Sequence, residues 1–156
     1  MAKILGVQNK NSMKSAIDLG IAMQLTNISR DVIEDMNNNR FYINHDFETI
    51  KNTLSMADLF YESSFASIKE IPFRFRFAIL VARRIYRKIG AKILQKENIY
   101  NYNRSGKIYV ANLGKLYQTF LSILDLIKLI FINEKYHLRN KEHLLINEEI
   151  DLNERI

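Results

Sequence analysis

QLTNISRDVIEDMNNNRFY, residues Gln24–Tyr42, carries two patterns at once. Leu25, Ile28 and Val32, with Ile21 before them, recur at three- and four-residue steps, the period of an amphipathic helix. Gln24, Asn27, Asp31, Glu34 and Asp35 recur with the same period on an adjoining sector of roughly 100°. One helix therefore offers an apolar face and a separate row of oxygen acceptors. Three consecutive asparagines, Asn37, Asn38 and Asn39, are turn formers that stop it. With Ser12 as N-cap, the pattern predicts a helix from about Ser12 to Asp35 or Met36.

The acceptor row has a chemical consequence. Asn27, Asp31 and Asp35 lie at successive i, i+4 steps, about 6 Å apart per step. Two carboxylates at that spacing repel and weaken a bare helix. A hard divalent cation with oxygen ligands, Mg²⁺ above all, removes the repulsion and bridges to substrate phosphates. Gly20 falls on the same face one turn earlier, where the absence of a side chain leaves room for a long ligand. The expectation is an acceptor face turned to a partly open cavity.

Outward from this helix the pattern stays helical. One proline and five glycines leave few breaks, and no period-2 run is long enough for a strand. Further helices are predicted from about Asn52 to Ile68, from the Pro72 turn to about Gln95, and from about Val110 to Phe131. ENIYNYNRSG, residues 97–106, reads as a loop, and residues 133–156 as a polar helical tail. The fold class is all-α: a helical domain over residues 1–132 followed by the tail.

A chain of 156 residues with 47% hydrophobic content supports one domain with a core. The lack of cysteine excludes disulfides and thiolate chemistry. No run resembles a signal peptide or a membrane span, so a cytoplasmic protein, peripheral to the inner membrane at most, is expected. The net charge of +6 is concentrated between Lys69 and Lys115, where twelve Lys/Arg face only Glu70 and Glu97. A basic middle beside a carboxylate row suits a ligand rich in phosphate, and most of these cations are read as solvating helix faces. Nucleic acid is not among the expected partners. Leu116–Asn133 is read as a core helix, with a membrane edge as the alternative.

The pattern Gln-x-x-Asn-x-x-Arg-Asp-x-x-Glu-Asp resembles the second aspartate-rich motif of the squalene/phytoene synthase family, within DLGIAMQLTNISRDVIEDMNNNRFYI (18–43). YESSFASIKEIPFRFRFAILVARRIYRKIG (61–90) and GKIYVANLGKL (106–116) are similar to later family segments, and bacterial phytoene synthases are the nearest likeness. The resemblance implies an isoprenoid-synthase-type bundle that joins two prenyl diphosphates, geranylgeranyl or farnesyl, head to head, with Mg²⁺ as cofactor. It assigns Asn27, Asp31 and Asp35 to the metal, Gln24 to the substrate wall and Arg30 to a diphosphate oxygen. Tyr86 takes the place of a tyrosine that faces the active site. Lys107 stands where an arginine is common, which keeps the charge but loses the bidentate fork. Phe73, Phe75, Phe77, Tyr86 and Phe120 are candidates to line the cavity.

The family's first aspartate-rich motif, on a facing helix, is not among these residues. The expectation is therefore the C-terminal half of a synthase, active only when an N-terminal half complements it, with exposed apolar surface along Ile17, Ile21 and Ile28. The alternative is a non-catalytic relative, comparable to a respiratory-complex assembly factor that kept the fold and lost the chemistry.

Overall fold

The computed structural model describes residues 10–132 and, among them, five α-helices and no strand. They are α1 (Lys10–Asn37), α2 (Phe47–Phe65), α3 (Phe73–Leu94), α4 (Ile99–Arg104) and α5 (Asn112–Phe131), with a 3₁₀ turn over Ala66–Glu70. The all-α reading holds. The expected tail helix lies outside the described residues.

The asparagine stop acts through a specific cap. Asn39 adopts a left-handed conformation (φ 55°). Its N–H bonds to the Met36 carbonyl at 3.0 Å, and the Arg40 N–H reaches the Asp35 carbonyl at 2.8 Å. This six-to-one and five-to-two pair is a Schellman ending, for which asparagine is the usual substitute for glycine. Helix α2 starts five residues before its predicted start because Asp46 caps it, its carboxylate accepting from the Thr49 N–H at 2.7 Å.

Helix α1 packs differently from its apolar pattern. Its most buried residues are Ser15, Asp18, Ala22, Thr26 and Ser29, a small and polar row, whereas Ile21, Leu25 and Ile28 are only half-buried and Val32 is buried. Small side chains let α2 approach closely, and hydroxyls then join the two helices. Thr26 Oγ1 pairs with the Tyr61 hydroxyl at 3.0 Å, Ser15 Oγ donates to Ser67 Oγ at 2.7 Å, and Ser63 Oγ donates to Asp18 Oδ2 at 3.3 Å.

Apolar packing is concentrated elsewhere. One cluster joins Val32 to Ile50, Leu54, Ile89, Ile93, Tyr102 and Val110. A second gathers Ile68, Ile71, Leu80 and Leu129 at the opposite end. Several cations of the basic segment are anchors rather than a solvated face. Arg83 is buried, donates from Nε and Nη2 to the Tyr61 carbonyl at 3.1 and 2.9 Å, and stacks 4.7 Å from the Phe65 ring. Burial pushes its pKa down to about 10, which leaves it charged at neutral pH. Arg87 reaches Asp58 and Glu62 on α2, both at 2.6 Å, and Arg84 grips the buried Asp125 of α5 in a bidentate pair.

Helix α5 docks with its polar side inward. Gln118, Ser122, Asp125 and Leu129 are buried, while Leu116, Phe120, Ile127 and Ile130 remain exposed. The exposed apolar surface therefore lies mainly on α5, not along Ile17, Ile21 and Ile28, which are half-buried.

Tyr102, in the stretch read as a loop, is 2% exposed on the short helix α4, and its hydroxyl reaches the Ser29 and Arg30 carbonyls at 3.0 Å each. Tyr102→Phe keeps the ring and removes both bonds. The expected result is a loss of roughly 1–2 kcal/mol of unfolding free energy in urea titration. An unchanged midpoint would contradict it.

Candidate diphosphate and metal site

Helix α1 places the acceptor row on the side away from its buried face. Gln24 is exposed, and Asn27, Arg30, Asp31 and Asp35 are half-buried. A side chain added at Gly20 would meet nothing within 4 Å, so the row continues into open space, as the sequence suggested.

Asp31 is the electrostatic centre. Arg30 clamps it, Nε to Oδ1 at 2.8 Å and Nη2 to Oδ2 at 2.6 Å. Lys107 arrives from the segment between α4 and α5, with Nζ 3.6 Å from Asp31 Oδ1 and 2.6 Å from Glu34 Oε2. Partial burial opposes the Asp31 charge, but the bonds and charges of Arg30 and Lys107 outweigh it and hold the carboxyl below its ordinary range. Arg30 is raised for the reciprocal reason, chiefly by its bond to Asp31.

The sign of the pH effect follows. A carboxyl with a lowered folded-state pKa stabilises the fold above its unfolded value, and that contribution fades as pH falls below about 4. The gap in unfolding free energy between wild type and Asp31→Asn is therefore expected to be larger at pH 7 than at pH 3. A gap independent of pH would show that the pair contributes nothing.

Of the seven residues singled out in the sequence, the structure brings Arg30, Asp31 and Lys107 into one network. Tyr86 packs against the cluster of Ala22, Ala57, Phe60 and Tyr61 and is an electrostatic neighbour of Arg30. Asn27 and Asp35 flank Asp31 by one turn on either side. Asn27 Oδ1 is buried without a hydrogen-bond partner, and such an acceptor beside two carboxylates fits a hard cation. Among the described residues, no three His, Cys, Asp or Glu side chains converge on one point. The row is a single wall of oxygen donors.

Two expectations need correction. Of the two best-formed cavities among the described residues, the acceptor row touches only the smaller, a cleft of about 20 Å³ bordered by Asp35. The other, about 750 Å³, lies among α2, α3 and α5 and meets α1 only at Thr26, roughly opposite Gln24. The aromatics do not share a cavity either. Phe73 and Phe120 are exposed, Phe75 joins the Leu80 cluster, and Tyr86 packs near Tyr61. Residue type and family likeness do not tell which neighbour a helix face meets.

Two contributions were not read from the sequence, the pairing of Glu34 and the place of Tyr102. Glu34 is the stronger partner of Lys107, and Tyr102 ties α4 to the backbone of α1 beside Asp31. The signal for the second was Asn98, whose side chain caps α4 three residues before Asn101 and turns Ile99 and Tyr102 toward the core.

The squalene/phytoene synthase family model matches residues 1–48, which contain the whole acceptor row. Three curated relatives are 15-cis-phytoene synthases. The chain is 32% identical to that of Enterobacter agglomerans (61% of this chain, 39% of that protein). It is 35% identical to that of Paracoccus sp. (60% and 36%) and 34% identical to that of Pantoea ananas (61% and 38%). Over these residues the chain is similar to the squalene/phytoene synthase family. The matches span less than two fifths of these relatives' lengths. No solved structure matches the chain. No described helix is long and apolar enough to cross a membrane.

Proposed function

We propose that this chain supplies one wall of a phytoene-synthase-type prenyltransferase, which condenses two prenyl diphosphates head to head. The observation that supports it best is the acceptor row on α1, with the buried, unpartnered Asn27 Oδ1 beside Asp31 and Asp35 and with Arg30 and Lys107 bordering it.

Asn27, Asp31 and Asp35 would hold Mg²⁺, which offsets the negative charge that accumulates on a departing diphosphate. Arg30 and Lys107 bind diphosphate oxygens by charge-assisted hydrogen bonds, Lys107 as a point charge rather than a fork. Gln24 and the open surface at Gly20 border the prenyl chain, and Tyr86 orients the reacting end beside Arg30. A diphosphate needs charge stabilisation on both sides, so a second carboxylate-bearing helix must face this row. That helix comes from a segment outside these 156 residues or from another polypeptide. Because the substrates are lipids, peripheral contact with a membrane belongs to the same reading.

Titration calorimetry tests it. Pyrophosphate is expected to bind the chain with Mg²⁺ present and much more weakly in EDTA; equal heats in both would sink the metal role. The non-catalytic reading rests on one observation, that both Asp31 oxygens accept hydrogen bonds from Arg30. It predicts no Mg²⁺ dependence.

A further inference from the structure

We propose that the cavity of about 750 Å³ among α2, α3 and α5 is a second ligand site, which takes a small phosphate monoester. Its size lies within the roughly 300–1,000 Å³ of small-molecule sites. It reaches inward to Thr26 and Tyr61, 1% and 2% exposed, so an occupant enters between the helices rather than lying across them. The charge around it is unbalanced. Arg83, Arg84, Arg87 and Lys88 of α3 and Lys128 of α5 border it, against Asp58, Glu62 and Asp125. The acids are already committed: Arg87 holds Asp58 and Glu62, and Arg84 holds Asp125 in a bidentate pair. Lys88 and Lys128 have no ion-pair partner among the described residues, and Arg83 comes no closer to Glu62 than 3.8 Å. The lining therefore carries a surplus of two positive charges. Burial, and after it the charge of Arg87, depress the Arg83 pKa, as expected of a cation short of negative neighbours.

Two buried side chains bring unused hydrogen-bonding groups to the same cavity. Gln118 is 8% exposed, yet its side-chain amide makes no hydrogen bond among the described residues; only its backbone carbonyl is engaged, by Ser122 Oγ. Arg83, 5% exposed, directs Nε and Nη2 to the Tyr61 carbonyl and leaves Nη1 without an acceptor among the described residues. Buried polar groups are as a rule hydrogen-bonded, so an oxygen-rich anion answers both. A phosphate monoester carries about −1.5 to −2 charge at neutral pH, which matches the surplus, and presents three acceptor oxygens. A carboxylate would supply one charge and two oxygens. Leu54, Leu59 and Leu94 border the cavity as well and suit the organic part of the ester. The cavity shares no residue with the acceptor row, so either reading can fail alone.

Phenyl phosphate, titrated into the full chain in EDTA, is expected to bind with a dissociation constant of about 1 mM or below. Inorganic phosphate, which lacks the apolar part, should bind at least about tenfold more weakly. Lys88→Gln with Lys128→Gln should weaken phenyl phosphate binding at least about tenfold. Lys51→Gln with Lys115→Gln removes the same charge from exposed positions that border neither the cavity nor the row, and should change binding by less than about twofold. Gln118→Leu keeps a side chain of similar size and should weaken binding at least about threefold. It should leave the urea midpoint no lower than that of wild type, because the amide has no partner to lose. No saturable binding to wild type up to about 10 mM would overturn the proposal. So would an effect equal for the two lysine pairs, or binding that Gln118→Leu leaves unchanged.

Discussion

Replacing Asp31 and Asp35 together by asparagine is expected to lower Mg²⁺-dependent pyrophosphate binding at least about 100-fold, below calorimetric detection. The substitution preserves side-chain shape and removes the two carboxylates that follow Asn27 at i, i+4 steps, leaving in the row only Glu34, which Lys107 holds. A hard cation held by neutral amides alone cannot also hold a pyrophosphate against bulk water. The same variant should behave in the opposite way without metal. Asp31 now occupies Arg30 on both nitrogens and lies 3.6 Å from Lys107, so its neutralisation frees cations to meet phosphate oxygens directly. In EDTA the variant is expected to bind pyrophosphate as well as wild type, or better. That reversal separates loss of a metal site from loss of fold, since a misfolded chain would lose both activities. Equal Mg²⁺-dependent binding by the two proteins would mean that the row is only a solvated helix face.

The sequence was informative where a pattern is local. The helical period of Gln24–Asp35, the asparagine stop and the Pro72 entry to α3 all depend on neighbours within one or two turns, and they place α1 and α3 to within two residues of their ends. The Asp46 cap is local too, yet the start of α2 was read five residues late. Tertiary choices were not legible. The row Ser15, Asp18, Ala22, Thr26 and Ser29 looks like a surface, and becomes a seam only because α2 brings Tyr61, Ser63 and nearby Ser67 against it. Helix α5 shows an apolar stripe that reads as core, and only the Arg84–Asp125 pair turns it outward. In the site, the oxygens on one helix could be counted from spacing. The approach of Lys107 to Asp31, 76 positions away, could not be read from spacing; family likeness gave Lys107 only as a diphosphate contact.

The largest effect is expected on turnover. Incubated with Mg²⁺ and geranylgeranyl or farnesyl diphosphate, this chain alone should yield no phytoene- or squalene-type hydrocarbon. Co-expression with a segment carrying a second Asp-x-x-x-Asp helix should restore product. The reason is electrostatic. One row of oxygens stabilises one side of a departing diphosphate and leaves the other to water, which screens the charge and captures the reactive prenyl end. Groups that act as a unit lose far more than a proportional share of rate when one is removed. The acceptor row in this structure is open along Gly20 and Gln24, with no wall opposite it among the described residues. Chromatography of an organic extract decides the matter, run on the chain alone, on the co-expressed pair, and on the pair carrying Asp31→Asn with Asp35→Asn. The account predicts product only from the unsubstituted pair. Robust product from the isolated chain, or from the pair carrying both asparagines, would contradict it.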